Sequence, residues 1–253
     1  MIIVLSPSKS MDMEPATEMD ATQPAFLDQS KQLIAQTRKL STAELMKVMQ
    51  ISEKLAELNR QRFKEWKLPF TTDNAKQAAL AFTGDVYDGL DASSLKKRDM
   101  NFAQKNLRIL SGLYGLLRPL DLIQTYRLEM GRPLETRDAK NLHAFWKESV
   151  TAELNRAPSD LLINLASQEY FKVIDKRKLD KQIITPTFKD EKNGKLKIIS
   201  FFAKKARGAM ARYIIQNRVT DADKLRTFAW EGYTHSLPLS TPSEPIFTRK
   251  EQS

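Results

Sequence analysis

The sequence MIIVL at residues 1–5 is a short apolar run of the kind that forms a strand buried inside a sheet. A second such run, LLINL, follows much later at residues 161–165. Further strands are predicted over residues 182–188 and 196–203, where apolar side chains dominate. Helical periodicity fills much of the chain between the first two runs. We therefore expect an α/β fold of the mixed α+β kind, in which a central mixed sheet carries a large helical insertion.

The helical part of the chain covers residues 25–156 and separates the first strand from a strand-rich, basic C-terminal part. Within it, apolar spacing predicts helices over residues 25–66, 99–110 and 143–155. The chain of 253 residues shows no internal repeat and no clear linker between domains. We expect residues 1–253 to form a single domain.

Three local signals refine these elements. Ser41 followed by Glu44 predicts a capping box at the start of a helix. The dipeptide Asn193-Gly194 predicts a tight turn between two strands. The polar, proline-containing segment at residues 10–24 predicts a loop.

Residues 171–218 carry the whole net charge of the chain. They hold 14 Lys and Arg against four acids, a difference equal to the formal net charge of +10. Charge concentrated in this way attracts polyanions. Helical spacing over residues 204–218 places five cations on one face: Lys204, Lys205, Arg207, Arg212 and Arg218.

Two small residues, Gly208 and Ala211, lie within this basic face. Glycine weakens a helix interior by about 1 kcal/mol relative to alanine, so its presence needs a reason. A small residue among cations would let a phosphate backbone approach closely. We therefore expect the cations of residues 204–212 to contact phosphates. The alternative is a solvated amphipathic helix that has no ligand.

The sequence LSGLYGLLRPLD at residues 110–121 combines the end of a predicted helix with a turn that contains two glycines. A helix, a glycine turn and a second helix would offer backbone N–H groups to a phosphate, as in a helix-hairpin-helix element. Under that interpretation Gly112 and Gly115 present amides to duplex DNA, and Arg118 lies beside them. The alternative is a helix C-cap followed by a tight turn.

Polar residues also follow the predicted strands and occupy two further loop segments. Ligands of α/β sheets bind beyond the carboxyl ends of the strands, so these residues could gather into a pocket. The candidates for acid–base or ligand-binding roles are Lys9, Asp85, Tyr87, Glu129, Asn164 and Ser167. The alternatives are a structural arginine–acid network and, for Ser167, a helix cap.

The composition excludes several kinds of site. The chain has no cysteine, which excludes disulfides, thiol nucleophiles and thiolate metal ligands. Its two histidines, His143 and His235, lack ligand spacing, so we expect neither a metal nor a cofactor. The apolar run at the N-terminus is too short for a signal peptide or a membrane span. We accordingly expect a cytoplasmic monomer without membrane partners.

Six segments of this sequence, in order, resemble the bacterial YaaA peroxide-stress family, also called UPF0246 or DUF328. They are SPSK (6–9), GDVYDGL (84–90), LSGLYGLLRPLD (110–121), YRLEMG (126–131), NLASQEY (164–170) and AKKARG (203–208). The resemblance extends from Met1 to about Tyr233. It implies a cytoplasmic protein that binds double-stranded DNA through a positive cleft and a helix-hairpin-helix-like element. It further implies resistance to hydrogen peroxide, less free iron and protection of DNA, and it brings no accepted catalytic activity.

Three hypotheses follow for the function. The leading one is a DNA-binding protein of the hydrogen peroxide response that recognises duplex shape or damage, because cations on phosphates carry no base code. The rival is an enzyme that acts on a nucleotide or nucleobase in the pocket. The third, iron sequestration, lacks a ligand pattern. Convergence of the six pocket candidates would favour the enzyme, and scatter would favour a binding protein.

Overall fold

The computed structural model describes residues 1–14 and 20–250. It confirms the mixed α/β class. The strands are β1 (Ile2–Leu5), β2 (Lys76–Gln77), β3 (Leu107–Ser111), β4 (Gly115–Leu117), β5 (Leu122–Ile123), β6 (Leu161–Asn164), β7 (Gln182–Ile184), β8 (Thr187–Lys192), β9 (Lys195–Lys197), β10 (Thr234–His235) and β11 (Ile246–Arg249). The helices are α1 (Leu27–Thr37), α2 (Thr42–Met49), α3 (Glu53–Glu65), α4 (Ala78–Ala81), α5 (Asp85–Leu90), α6 (Lys97–Asn106), α7 (Leu142–Arg156), α8 (Gln168–Phe171) and α9 (Ser200–Asn217).

The main sheet has five strands in the order β4-β3-β1-β6-β7. Strand β1 pairs in parallel with β3 on one side and with β6 on the other, and β6 pairs in parallel with β7. Strand β4 runs antiparallel to β3. Every residue of β1 is at most 2% exposed. This burial explains the continuous apolar run, because a strand covered on both faces has no solvent side for polar residues.

The order of the strands reverses beside β1. The chain passes from β1 to β3 on one side, and later enters β6 on the opposite side before continuing to β7. Ligands of open α/β sheets bind at such a switch point, in the crevice beyond the carboxyl ends of the two strands. In this protein the crevice lies between Ser6, which follows β1, and Leu165, which follows β6.

A second sheet, in the order β10-β11-β8-β9, contains the basic hairpin. The predicted Asn193-Gly194 turn is confirmed, because it joins β8 to β9 and its two residues have φ angles of 54° and 69°. In the same sheet Arg249 Nη2 lies 2.6 Å from Asp190 Oδ1. The Tyr233 hydroxyl donates to Asp190 Oδ2 at 2.7 Å. This buried cluster ties β8 to β11 and to the segment before β10.

The first part of the helical insertion agrees with the sequence prediction. The segment predicted as helical over residues 25–66 forms α1, α2 and α3. Ser41 and Glu44 form the predicted capping box at the start of α2. The helix predicted before the second buried run is α7. The loop predicted over residues 10–24 lies partly outside the described residues, which omit 15–19.

The structure corrects the prediction of a helix-hairpin-helix-like element. Helix α6 ends at Asn106, so the predicted helix over residues 99–110 stops early and residues 107–111 form β3. The glycine turn therefore joins two antiparallel strands, β3 and β4, rather than two helices. Pairing with β1 buries four of the five residues of β3. That tertiary gain overrides the helical periodicity of the segment.

The strand predicted over residues 196–203 is also wrong for most of its length. Strand β9 ends at Lys197 and α9 begins at Ser200, so the two phenylalanines that follow lie in the first turn of a helix. Packing of α9 against its neighbours overrides their β propensity. The strand predicted over residues 182–188 divides into β7 and β8 around Pro186, which has no N–H to donate to a ladder.

Candidate functional site

A cavity of about 500 Å³ lies beyond the carboxyl ends of β1 and β6. We call it the switch-point cavity. Its size falls within the range of about 300–1,000 Å³ that is typical of small-ligand sites. Its walls come from the loops after β1 and β6, the segment after β5, the first turn of α5, α8 and the first half of α9. Its charged and hydroxyl-bearing lining includes Ser6, Ser8, Lys9, Asp85, Glu129, Ser167, Glu169, Lys204 and Arg207.

Ser6 and Ser167 join the two strand-end loops across the crevice. The Ser167 N–H donates to Ser6 Oγ at 2.8 Å, and Ser6 Oγ donates to Ser167 Oγ at 3.3 Å. The Tyr87 hydroxyl donates to the Ser6 carbonyl oxygen at 3.0 Å. Burial raises the pKa of Tyr87, so this hydroxyl keeps its proton at neutral pH. Tyr87 therefore holds the loop after β1 in position.

Glu129 is a buried carboxylate surrounded by cations. Its Oε1 lies 3.2 Å from Arg127, 3.4 Å from Arg132 and 3.5 Å from Lys9. Burial alone would raise the pKa of Glu129, but these three positive charges hold it below its ordinary value. Its Oε2 is buried and has no hydrogen-bond partner among the described residues. An ionised group with an unsatisfied acceptor suits a hydrogen-bond donor on a ligand.

Two glycines bring α5 and α9 into backbone contact. A Cβ on Gly208 of α9 would lie 1.8 Å from the Val86 carbonyl oxygen, and a Cβ on Gly89 of α5 would lie 2.0 Å from the Lys205 carbonyl oxygen. The interpretation of Gly208 and Ala211 as an opening for a phosphate backbone is therefore wrong, since both are buried. The contact sets the spacing between the side chains that α5 and α9 contribute to the cavity.

Helix α9 contributes two cations to the cavity, Lys204 and Arg207. Lys204 Nζ lies 3.6 Å from Asp85 Oδ2 of α5. Arg207 is partly buried, and no described residue provides it with a carboxylate or a hydrogen-bond acceptor. Burial lowers the pKa of its guanidinium, because no counter-charge offsets the lost hydration. The cavity thus combines two paired carboxylates, Asp85 and Glu129, with one cation, Arg207, that has no counter-charge within 4 Å among the described residues.

The structure brings five of the six predicted pocket residues to the switch-point cavity: Lys9, Asp85, Tyr87, Glu129 and Ser167. Asn164 ends β6 and lies outside the lining described for the cavity. Its Oδ1 accepts a hydrogen bond from the Ala166 N–H at 3.1 Å, which satisfies part of a buried amide. Ser167 stands at the N-cap position of α8, but its side chain makes no cap bond there.

Sequence reasoning missed several residues of this cavity. Ser8, Glu169 and Tyr170 line the cavity but were not among the predicted residues, although Ser8 is next to the predicted Lys9 and the other two follow the predicted Ser167 in α8. Lys204 and Arg207 were expected on a DNA-facing surface, and they line the cavity as well. Lys204 and Arg207 line the cavity because α9 packs against α5, a contact that the sequence did not predict.

The glycine turn serves the packing of the core. Gly112 and Gly115 are buried. A Cβ on Gly112 would lie 2.1 Å from the Leu128 carbonyl oxygen. Gly115 has a φ of 69°, and a Cβ there would lie 2.6 Å from the ring of Trp146. The turn is therefore closed by neighbouring chain, and both of its glycines are packed in the core.

Several cations predicted to contact DNA are engaged within the protein. Arg118 Nη2 lies 2.9 Å from Asp121 Oδ1. Arg212 donates to the Asp91 carbonyl oxygen at 2.7 Å, to the carbonyl oxygen of the last residue of α5 and to Ser94 Oγ. Lys205 lies 3.9 Å from a carboxylate. The small residues of the predicted basic face of α9 are therefore buried, whereas its cations remain at least partly exposed and several of them pair with the protein's own chain.

Residues 1–14 and 20–250 contain no group of three or more histidine or acidic side chains placed to hold a metal ion. Over the same ranges, none of the helices combines the length and the apolar character that a bilayer crossing demands.

Comparison with known proteins identifies the family. A model described as Peroxide stress protein YaaA matches residues 1–237. The chain belongs to this family. A UPF0246 protein of Colwellia psychrerythraea is 55% identical over 256 residues, which cover 99% of this chain and 100% of the relative. UPF0246 proteins of Pseudoalteromonas translucida and Cellvibrio japonicus are 54% and 53% identical, each over at least 99% of both chains.

Membership of the YaaA family confirms the resemblance drawn from the sequence motifs. It supports a role in the response to hydrogen peroxide. The matched range contains every residue named at the switch-point cavity.

Proposed function

We propose that this YaaA-family protein acts in the response to hydrogen peroxide as an enzyme on a nucleotide or nucleobase bound in the switch-point cavity. The observation that carries the proposal is the convergence of Lys9, Asp85, Glu129 and Ser167, with two cations of α9, on one crevice. They come from loops and helices that are distant in the sequence and meet at the carboxyl ends of β1 and β6. Functional groups gathered at that point of an α/β sheet are typical of a ligand site.

The cavity holds the kinds of group that act on a nucleotide. The ionised Glu129 carboxylate can accept a proton or a hydrogen bond from a ligand, with Lys9 beside it as a donor. Burial raises the pKa of Tyr87 and Tyr170, so their hydroxyls act as donors rather than as bases. Asp85 is the second carboxylate of the cavity and is paired with Lys204. We assign the role of general base to Glu129.

Two carboxamide variants test this proposal. Asp85→Asn and Glu129→Gln keep the shape of each side chain and remove its negative charge. We expect cells that carry either variant in place of the normal protein to lose peroxide protection, because a positioned acid–base group contributes about 10²–10⁴-fold to a rate. Survival after a hydrogen peroxide pulse is the measurement. Glu148→Gln, at an exposed carboxylate outside the cavity, is the matched control.

Folding of each purified variant is checked by circular dichroism and thermal melting. If folded Asp85→Asn and Glu129→Gln proteins protect cells as well as the normal protein does, the enzyme proposal is wrong. The DNA-binding candidate then becomes the better account.

DNA binding is a second candidate, and a different surface favours it. Residues 189–202, which we call the hairpin surface, carry Lys192, Lys195 and Lys197 on β8 and β9, and no described carboxylate lies within 4 Å of them. Ile198 and Phe201 beside them are 56% and 54% exposed. Unpaired cations neutralise phosphates, and exposed aromatic rings stack on bases.

A charge reversal on the hairpin surface tests the second candidate. We expect normal protein to bind duplex DNA of arbitrary sequence with an affinity that falls as salt rises. Reversing three lysines should make the slope of log affinity against log salt shallower by about 3. The triple variant is Lys192→Glu/Lys195→Glu/Lys197→Glu, and the control is Lys31→Glu/Lys47→Glu/Lys54→Glu on exposed positions of α1, α2 and α3. Absence of binding at low salt, or equal slopes in both variants, would remove this candidate.

A further inference from the structure

We infer that the ligand of the switch-point cavity is a phosphate ester of a nucleoside and that its phosphate binds Arg207, an inference that rests on the proposed function. A free nucleotide and the phosphorylated end of a DNA strand share this chemistry. Two observations carry the inference: the state of the Arg207 side chain and the balance of charge in the cavity walls.

Arg207 lines the cavity from α9 and is partly buried without a partner among the described residues. A guanidinium that loses hydration and gains no counter-charge destabilises the folded protein. Proteins retain such groups mainly where function requires them. The planar fork of an arginine donates two parallel N–H groups to two phosphate oxygens, which lysine cannot do.

Another arginine of the same helix shows the contrast. Arg212 lies five residues further along α9, and its guanidinium donates to the Leu90 and Asp91 carbonyl oxygens at 3.0 and 2.7 Å and to Ser94 Oγ at 2.8 Å. The fold therefore provides Arg212 with three hydrogen-bond acceptors and with the Asp91 carboxylate at 3.3 Å from its own chain. Arg207, on the cavity side, receives no such acceptor from the described residues.

Two of the three carboxylates that line the cavity, Asp85 and Glu129, are paired with neighbouring cations, whereas Glu169 has no cation within 4 Å among the described residues. Lys204 lies 3.6 Å from Asp85, and Lys9 lies 3.5 Å from Glu129. Arg127 and Arg132 add two further positive charges behind the Glu129 carboxylate. With Arg207, the cavity and the groups directly behind Glu129 hold five cations against the three carboxylates of Asp85, Glu129 and Glu169, which leaves a net charge of +2. An anion that carries one or two negative charges balances that excess.

The remaining lining suits the rest of a nucleoside phosphate. The hydroxyls of Ser8 and Ser167 lie in the same walls and can donate to further phosphate or sugar oxygens. The rings of Tyr87 and Tyr170 and the side chain of Leu165 supply apolar surface for a base. The cavity thus combines an anion site with an apolar wall.

Binding measurements on purified protein test the inference. Isothermal titration compares a panel of nucleosides, their 5′-monophosphates and a 5′-phosphorylated oligodeoxynucleotide, and thermal melting is recorded with inorganic phosphate against sodium chloride of equal ionic strength. The proteins are the normal chain, Arg207→Gln, Arg207→Lys and the control Arg156→Gln, which removes an exposed guanidinium of α7.

We expect the normal protein to bind at least one monophosphate about tenfold or more tightly than its nucleoside, because a charge-assisted arginine–phosphate pair contributes that much. Arg207→Gln should abolish the difference and leave nucleoside affinity unchanged, and Arg207→Lys should restore it in part. Arg156→Gln should behave like the normal protein. Without ligand, Arg207→Gln should melt at the same temperature as the normal protein or higher, because an unpaired charge has been removed from a partly buried site.

Three outcomes overturn the inference, and they separate it from the proposed function. Equal affinity of the normal protein for nucleosides and monophosphates removes the phosphate site and leaves the nucleoside cavity in place. A marked loss of melting temperature in ligand-free Arg207→Gln means that the arginine stabilises the fold instead. If the normal protein binds neither nucleosides nor phosphates, the inference and the proposed function both fail.

Discussion

The contact between α5 and α9 predicts a large effect from a single methyl group. In Gly208→Ala the new Cβ would lie 1.8 Å from the Val86 carbonyl oxygen and 2.7 Å from the Leu90 nitrogen. Both are backbone atoms, so neither can rotate away. Ordinary carbon–oxygen contacts are about 3.3 Å or longer, and the two helices must therefore separate by about 1.5 Å at this point.

The magnitude follows from two opposing effects. Overpacking of a buried contact costs about 1–3 kcal/mol, and a forced backbone shift places this site at the upper end. The higher helix propensity of alanine offsets about 1 kcal/mol of this loss of unfolding free energy. The net loss of unfolding free energy is about 2 kcal/mol, which lowers the melting temperature of a chain of this length by about 4–8 °C. The separation also moves Arg207 away from Asp85, so ligand binding should weaken.

Thermal and urea unfolding followed by circular dichroism measure this loss. Gly89→Ala should behave in the same way, because its Cβ would lie 2.0 Å from the Lys205 carbonyl oxygen. Gln216→Ala, at an exposed position of α9, is the control and should change stability by no more than about 0.5 kcal/mol. A Gly208→Ala protein as stable as the normal chain would refute the close packing of these helices.

Three further perturbations test other parts of the fold. Asp190→Ala removes the nearer carboxylate partner of the buried Arg249 of β11, at 2.6 Å, and leaves only Glu231 at 4.0 Å, so it should cost about 3–5 kcal/mol in urea unfolding. The hydrogen bond from Arg218 holds the pKa of Asp99 below its ordinary value, so the stability from this pair is present above about pH 4 and is lost as pH falls through the lowered pKa. Asp99→Asn should therefore flatten the acid limb of a stability–pH curve. Gly115→Ala should lower the melting temperature, because its Cβ would meet the Trp146 ring.

The sequence correctly predicted two kinds of element: strands that are buried on both faces, and turns or caps that are specified by a few neighbouring residues. The run at residues 1–5 and the run at 161–165 became neighbouring central strands. The Asn193-Gly194 turn and the capping box at Ser41 formed as expected, because each is specified within four residues. Residues 107–110 were wrongly predicted to be helical, because their apolar spacing also fits a helix. Only pairing with β1 selects the strand.

The sequence also predicted only part of the candidate site. Five of the six pocket residues meet at one cavity, because polar residues after parallel strands share an edge of the sheet. The sequence did not predict that Gly208 forms a contact between helices or that Arg207 lines the cavity. The pattern of residues 204–218 predicts a charged helical face, but α5, which packs against Gly208 on that face, lies more than a hundred residues earlier in the chain.

The sequence by itself determined the buried strands, the turns and caps, the concentration of charge and membership of the YaaA family. Each of these depends on residue type or on contacts within a few residues. The tertiary structure alone decided that the glycine turn is a closed β-hairpin and that the glycine of α9 is a helix contact. It also placed Arg207 in the wall of a cavity rather than on an open surface. The physical reason is that burial and pairing depend on elements far apart in the chain, and the free energy of packing them exceeds the local preferences that a sequence pattern records.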